Sequence, residues 1–69
     1  MTDGILRSLR RSRGLSMRDV ARLSGVSWRT IQRIETGKSN PHRPTRDAIA
    51  RALGVSRTDI WPEDLEEAS

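Results

Sequence analysis

Three polar side chains within residues 27–35 could act together. Arg29, Gln32 and Arg33 stand three and four residues apart, the spacing that puts side chains on one face of a helix. On a wheel of ~100° per residue centred on Ile31, Ile34, Ser27 and Glu35 fall on the inward side. Arg29, Gln32 and Arg33 fall on the far side, and Trp28 lies at the boundary. A guanidinium suits guanine through O6 and N7, and a carboxamide suits adenine through N6 and N7. This is recognition chemistry, not bond-making chemistry. The chain has no cysteine, and His42 is its single histidine. Disulfides and thiolate metal sites are therefore out, as is most nucleophilic or metal-assisted catalysis, which needs clustered ligands or bases. No enzyme activity, cofactor or metal is expected.

The elements that must hold this face are legible around it. Ser16 with Asp19 has capping-box spacing and opens a helix running to Leu23, with Val20, Ala21 and Leu23 as its apolar face. Ser24-Gly25-Val26 is a turn, and Gly25 tolerates left-handed backbone geometry. Ser27 caps the next helix, Ile31 and Ile34 anchor it, and Gly37 stands where a helix C-terminus favours glycine. Small Ala21 lets the two helices cross closely. The unit is a helix-turn-helix, which sets its second helix in the DNA major groove.

The same positions carry a resemblance to the Cro/repressor type of helix-turn-helix, the Xre family. They are Ala21, Gly25, Val26, Ile31, Ile34, Glu35 and Gly37, flanked by Gly14-Leu15-Ser16 and Ala52-Leu53-Gly54-Val55-Ser56. The resemblance runs over roughly residues 6–62. It implies base contacts at Trp28, Arg29 and Gln32, and phosphate contacts at Ser27 and Arg33. It also implies that the loop after the second helix follows the DNA backbone, offering Lys38, Ser39, Asn40 and Arg43. The family's Gln at the start of the first of these helices is Met17 here, whose thioether cannot donate that hydrogen bond. Arg18 beside it can supply the charge. Glu35, on the inward side, needs a partner, and the resemblance supplies Arg10 as a structural ion pair. Trp28 either touches a thymine methyl or sugar, or folds over the turn. For the polar residues the alternative is a plain solvated face.

The rest of the chain completes an all-α, compact five-helix domain. Thr2 or Asp3 can cap a first helix to about Arg13, with Ile5, Leu6 and Leu9 inward and Gly14 ending it. Arg10 borders the buried face, while Arg7, Arg11 and Arg13 point elsewhere, one or two of them toward phosphate or all toward solvent. Residues 36–44 are a loop by composition, stiffened by two prolines. The fourth helix follows Pro44 and Thr45, with Ile49, Ala52 and Leu53 inward. Relatives often show Leu or Phe where Thr45 and Arg46 stand, which predicts a weakly anchored first turn. Ser56 with Asp59 repeats the capping-box spacing for a short fifth helix carrying Ile60 and Trp61, and Pro62 ends it.

Charge divides the chain in two. Residues 1–62 hold all 13 Lys and Arg with five acids, a surplus of eight positive charges, whereas 63–69 hold four acids. The expected organisation is a basic domain, 1–62, and an acidic, disordered tail, 63–69. A basic body suits a polyanion. Twelve of the 13 cations are Arg, the better bidentate partner of phosphate and guanine, though a genome rich in Arg codons gives the same skew. No apolar run approaches the ~18 residues of a membrane span, and no signal-peptide stretch is present.

The expected protein is a cytoplasmic, phage Cro-like or repressor-like regulator that occupies a double-stranded DNA operator. It would be a monomer or weak homodimer when free, paired on DNA. Arg57, where relatives often show Leu, would stand exposed at a two-fold axis. The alternative is an antitoxin-type protein-interaction module that also binds DNA.

Overall fold

The structure, a computed structural model, describes the backbone of residues 2–65 and the side chains from Gly4 onward to Leu65. Regular structure among the described residues is helical: α1 (Thr2–Ser12), α2 (Met17–Ser24), α3 (Trp28–Glu35), α4 (Arg43–Leu53) and α5 (Arg57–Ile60). The expected cap at Thr2 or Asp3 involves side chains outside the described residues.

Local hydrogen bonds set the ends of α2 and α3. The Ser16 hydroxyl accepts from the Asp19 N–H at 3.0 Å, and the Asp19 carboxylate accepts from the Ser16 N–H at 2.9 Å. The bond from the Ser16 backbone N–H, ahead of the Ser16 side chain and Arg22, holds the Asp19 carboxyl below its ordinary pKa. Gly25 ends α2 at φ 77°, a left-handed conformation that costs other residues ~1–2 kcal/mol. Ser27 then caps α3, its hydroxyl accepting from the Thr30 N–H at 3.2 Å. At the far end Lys38 N–H reaches Arg33 O at 2.8 Å and Gly37 N–H reaches Ile34 O at 3.1 Å, with Gly37 at φ 74°. That pairing satisfies two carbonyls the helix leaves open. Ser56 and Asp59 do open α5, with the Asp59 carboxylate accepting from the Ser56 N–H at 3.0 Å.

α2 packs on α3 and α4, while α1 packs on α3 and α5. The core is Leu6, Val20, Ile31, Ile34, Ile49, Ala50, Leu53, Ile60 and Trp61, with Leu9, Leu15, Met17, Ala21, Val26 and Val55 packed around it. Three apolar expectations fail in detail. Leu23 is 51% exposed, because Val20 and Ala21 already fill the face that α2 turns inward. Ile5 is only half-buried, since Leu6 takes the central position on α1. Ala50, not Ala52, joins Ile49 and Leu53 in the core, and Ala52 instead lines a surface depression with Leu23, Ala48 and Arg51.

The expectations for the second half of the chain need larger corrections. α4 begins at Arg43, with His42 as its N-cap and Pro44 in its first turn, so the loop stops two residues earlier than its composition suggests. Pro fits there because first-turn N–H groups have no intrahelical partner. The first turn is also firmly tied. Arg46 is bound by Pro41, Asn40 and Asp64 and stacks over Trp61. Arg57 is not exposed at an axis: it pairs with Asp47 at 3.0 Å and lies 2.8 Å from Asp64. The last contact is an ion pair not aligned as a hydrogen bond.

The acidic segment does not begin as a disordered tail. Backbone bonds from Asp64 to Trp61 and from Leu65 to Pro62 form one more turn, and Asp64 is 3% exposed. Two guanidiniums compensate the desolvation that would otherwise exclude its carboxylate. Residues 66–69 lie outside the described residues.

Candidate nucleic-acid interface

α3 presents the polar face anticipated from the wheel. Ile31 and Ile34 are buried, while Trp28, Arg29, Gln32 and Arg33 are exposed. A shallow depression of about 270 Å³ is lined by Arg29, Gln32, Arg33, Thr36 and Lys38. The helix and the start of the following loop therefore form one surface, with three cations beside a carboxamide. Gln32 and Thr36 also border a second depression, of about 160 Å³, shared with Arg7, Arg10, Met17 and Glu35.

The second depression singles out a residue that periodicity on α1 does not. Arg7, Arg11 and Arg13 are equivalent on the sequence, but the packing of α1 on α3 brings Arg7 to the edge of the α3 face. It lies beside Met17, where the thioether packs against the core instead of offering a donor. No sequence signal short of the tertiary contact marks Arg7 out.

Arg18 and Trp28 join the start of α2 to the start of α3. The Arg18 guanidinium carbon lies 5.0 Å from the centre of the Trp28 ring. An exposed stack of this kind contributes ~0.5–1 kcal/mol. It limits where both groups go, holding a cation and an aromatic edge side by side on the same surface. Ser27 uses its hydroxyl in the cap and in a 2.9 Å bond with the Thr30 hydroxyl.

The remaining candidate donors divide. Lys38 belongs to the α3 depression. Asn40 and Arg43 line a separate one of about 230 Å³ with Pro41, His42, Arg46 and Asp64. Ser39 is half-buried and lines neither of these. Arg43 is now the first residue of α4.

Arg10 and Glu35 lie beneath the face. Arg10 Nε donates to Glu35 Oε2 at 2.7 Å and Arg10 Nη2 to Glu35 Oε1 at 3.0 Å, a two-pronged pair joining α1 to α3. A third donor, Nη1, reaches Leu15 O at 2.8 Å. The hydrogen bonding to Glu35 raises the Arg10 pKa above its ordinary value. The pair ties α1 to α3 beneath the exposed face. Among the described residues no group of three or more His, Cys, Asp or Glu is placed to hold a metal ion. No described helix is long and apolar enough to cross a membrane.

Known proteins share this fold. The helix-turn-helix domain family matches residues 5–60. The uncharacterised HTH-type transcriptional regulator RghRB of Bacillus subtilis is 36% identical over 74 residues, covering 93% of this chain and 53% of that protein. The chain thus spans about half the length of that relative. Antitoxin PezA of Streptococcus pneumoniae is 34% identical over 59 residues, covering 86% of this chain and 37% of PezA. A crystal structure of an HTH_3 family transcriptional regulator from Vibrio cholerae superposes with a TM-score of 0.81 at 37% identity, over 94% of this chain and 36% of that one.

Proposed function

The chain belongs to the Xre-type helix-turn-helix family of DNA-binding transcriptional regulators, and from that premise we propose that it reads a specific double-stranded operator in the major groove with α3. The observation that carries this is the single exposed surface made by Arg29, Gln32, Arg33 and Lys38. Arg29 pairs with a guanine and Gln32 with an adenine. Trp28 meets a thymine methyl or sugar at the edge of the same face. Ser27, Arg33, Arg18, Lys38, Ser39, Asn40 and Arg43 hold phosphates, and Arg7 joins them beside Met17. Phosphate contacts fix the register while base contacts select the sequence. A Cro-like or repressor-like protein acting in this way in the bacterial cytoplasm would work by steric occupation of a promoter.

Selection of binding sites from random duplexes, repeated with Arg29→Ala, tests the reading. The variant is expected to lose ~1–3 kcal/mol on the preferred site and to relax one base position, whereas Lys38→Ala weakens binding to all sequences about equally. An unchanged motif and affinity for Arg29→Ala would show that α3 is not the reading helix.

The oligomer we propose is one chain in free solution and two on a two-fold operator. Ile60 and Trp61, the apolar candidates for a dimer seam, are 0% and 1% exposed. Among the described residues the exposed large apolar side chains are Leu23, Trp28 and Leu65, few for the ~1,200 Å² that a stable interface buries. Half-sites ~10–10.5 base pairs apart would bring the copies together. Sedimentation at micromolar concentration should show mostly single chains, and operator titration should show two binding cooperatively. A tight dimer without DNA overturns this.

The similarity to PezA favours a second reading, an antitoxin-type partner-binding module that also binds DNA. A neighbouring toxin gene would support it.

A further inference from the structure

The face described above does not use Arg46, yet this side chain touches both the loop that continues it and the far end of the fold. Its three nitrogens go three ways. Nε donates to Pro41 O at 2.8 Å, Nη2 to Asn40 Oδ1 at 2.7 Å, and Nη1 to Asp64 Oδ1 at 2.6 Å. Its guanidinium carbon stands 5.3 Å from the centre of the Trp61 ring, which is itself buried. A guanidinium is a rigid planar fork, so it cannot swing to keep one of these acceptors without disturbing the others.

Asp64 is the close, buried anchor of the fork; Glu63 also pairs with Nη1, but at 3.7 Å and with its side chain more than half exposed. Its side chain is 4% exposed and lies between two cations, Arg46 at 2.6 Å and Arg57 at 2.8 Å. Arg57 is anchored in turn to Asp47 on α4. Without the Asp64 carboxylate, the two guanidiniums would face one another with their buried counter-charge gone, leaving Arg46 only the looser pair with exposed Glu63. Arg46 would then turn outward and release Pro41 and Asn40. Lys38, two residues before Asn40, lines the depression with Arg29, Gln32 and Arg33.

We propose that Arg46 is a positioning residue for DNA binding, transmitting the docking of the segment around Asp64 to the loop of residues 38–41 that continues the α3 face. The proposal rests on the DNA-binding reading. Ordering the loop beforehand removes an entropy loss that binding would otherwise incur. Since the loop meets phosphate and not base edges, the effect falls on affinity and not on sequence preference.

The test sets two effects of opposite sign against each other. Asp64→Ala removes a negative charge, and electrostatics alone would tighten binding to a polyanion. The relay requires the reverse, a weakening of about 3–10-fold from the freed loop. Arg46→Lys keeps the charge but replaces the wide planar fork with a single compact nitrogen, which does not span these three acceptors in the same geometry, and should weaken binding to a similar extent. The double variant should be no worse than either single one. Affinity is measured on the selected duplex at a temperature where circular dichroism shows each variant folded. Amide hydrogen exchange is followed at residues 38–40. Faster exchange there, lower affinity and an unchanged selected motif are the expected results.

Asp64→Ala that binds as tightly as the parent or more so, with only its melting temperature lowered, leaves the network a stability device and overturns the relay. If Asp64→Ala does not fold, Arg46→Lys decides alone by the same criterion. A parent chain that binds no selected duplex at any salt concentration overturns the DNA-binding reading itself.

Discussion

Glu35→Ala is expected to destabilise the fold by ~3–5 kcal/mol, the cost of removing one member of a buried ion pair. Arg10 and Glu35 have side chains only 11% and 6% exposed, and they meet through two hydrogen bonds. Without the carboxylate, the Arg10 guanidinium would keep just the Leu15 carbonyl among these partners. A charge out of water with one acceptor is costly, and the remedy is for the N-terminal half to open. Arg10→Ala leaves the opposite orphan, a carboxylate facing the core, and is destabilising in its turn. Removing both can be nearly neutral, because the pair itself bears a desolvation cost close to its Coulombic gain. Thermal melts of the two single variants and the double one form the cycle. Purely additive losses would show that the two residues do not depend on one another.

Binding to DNA is expected to fall steeply with salt. With about four phosphate contacts per subunit, log K against log salt should have a slope of roughly −3 to −4, as each neutralised phosphate releases counterion. A fourfold rise in salt then weakens each subunit by about 10²-fold. Arg33 and Lys38 on one depression and Arg7 on the next supply three of the cations for these contacts. Arg18 adds a charge from α2, held by the Trp28 ring. Titration of the selected duplex at several salt concentrations measures the slope. A flat response would set aside the proposed phosphate contacts and favour the partner-binding reading. Lys38→Ala should reduce the slope by about one.

Most helix ends, which depend on neighbours a few residues away, were legible in the chain. Ser16 with Asp19, Ser56 with Asp59, Ser27 before α3 and the glycines at 25 and 37 all satisfy backbone groups within one turn. Their spacing alone defines where helices open and close. The inward face of α3 follows from a 3.6-residue period, and so do most of the core positions. Arg10 with Glu35, 25 residues apart, is a different case. Spacing showed only that Glu35 needed a partner, and the family resemblance identified which arginine it was.

Only the tertiary structure decided the partners of the charged side chains in the second half of the chain and the edges of the site. The family resemblance made Thr45 and Arg46 look like a weak start to α4 and Arg57 look exposed, while composition made Asp64 look like part of a disordered tail. All three judgements reverse once α4, α5 and the chain after Trp61 meet, because Arg46 and Asp64, 18 residues apart, become partners. Arg7 was likewise indistinguishable from Arg11 and Arg13 until α1 packed beside α3. The reason is physical. Capping and periodicity are enforced by backbone groups whose alternatives lie within a few residues. A long charged side chain reaches several ångströms in many directions, and which helix ends lie within that reach is fixed only by how the helices pack.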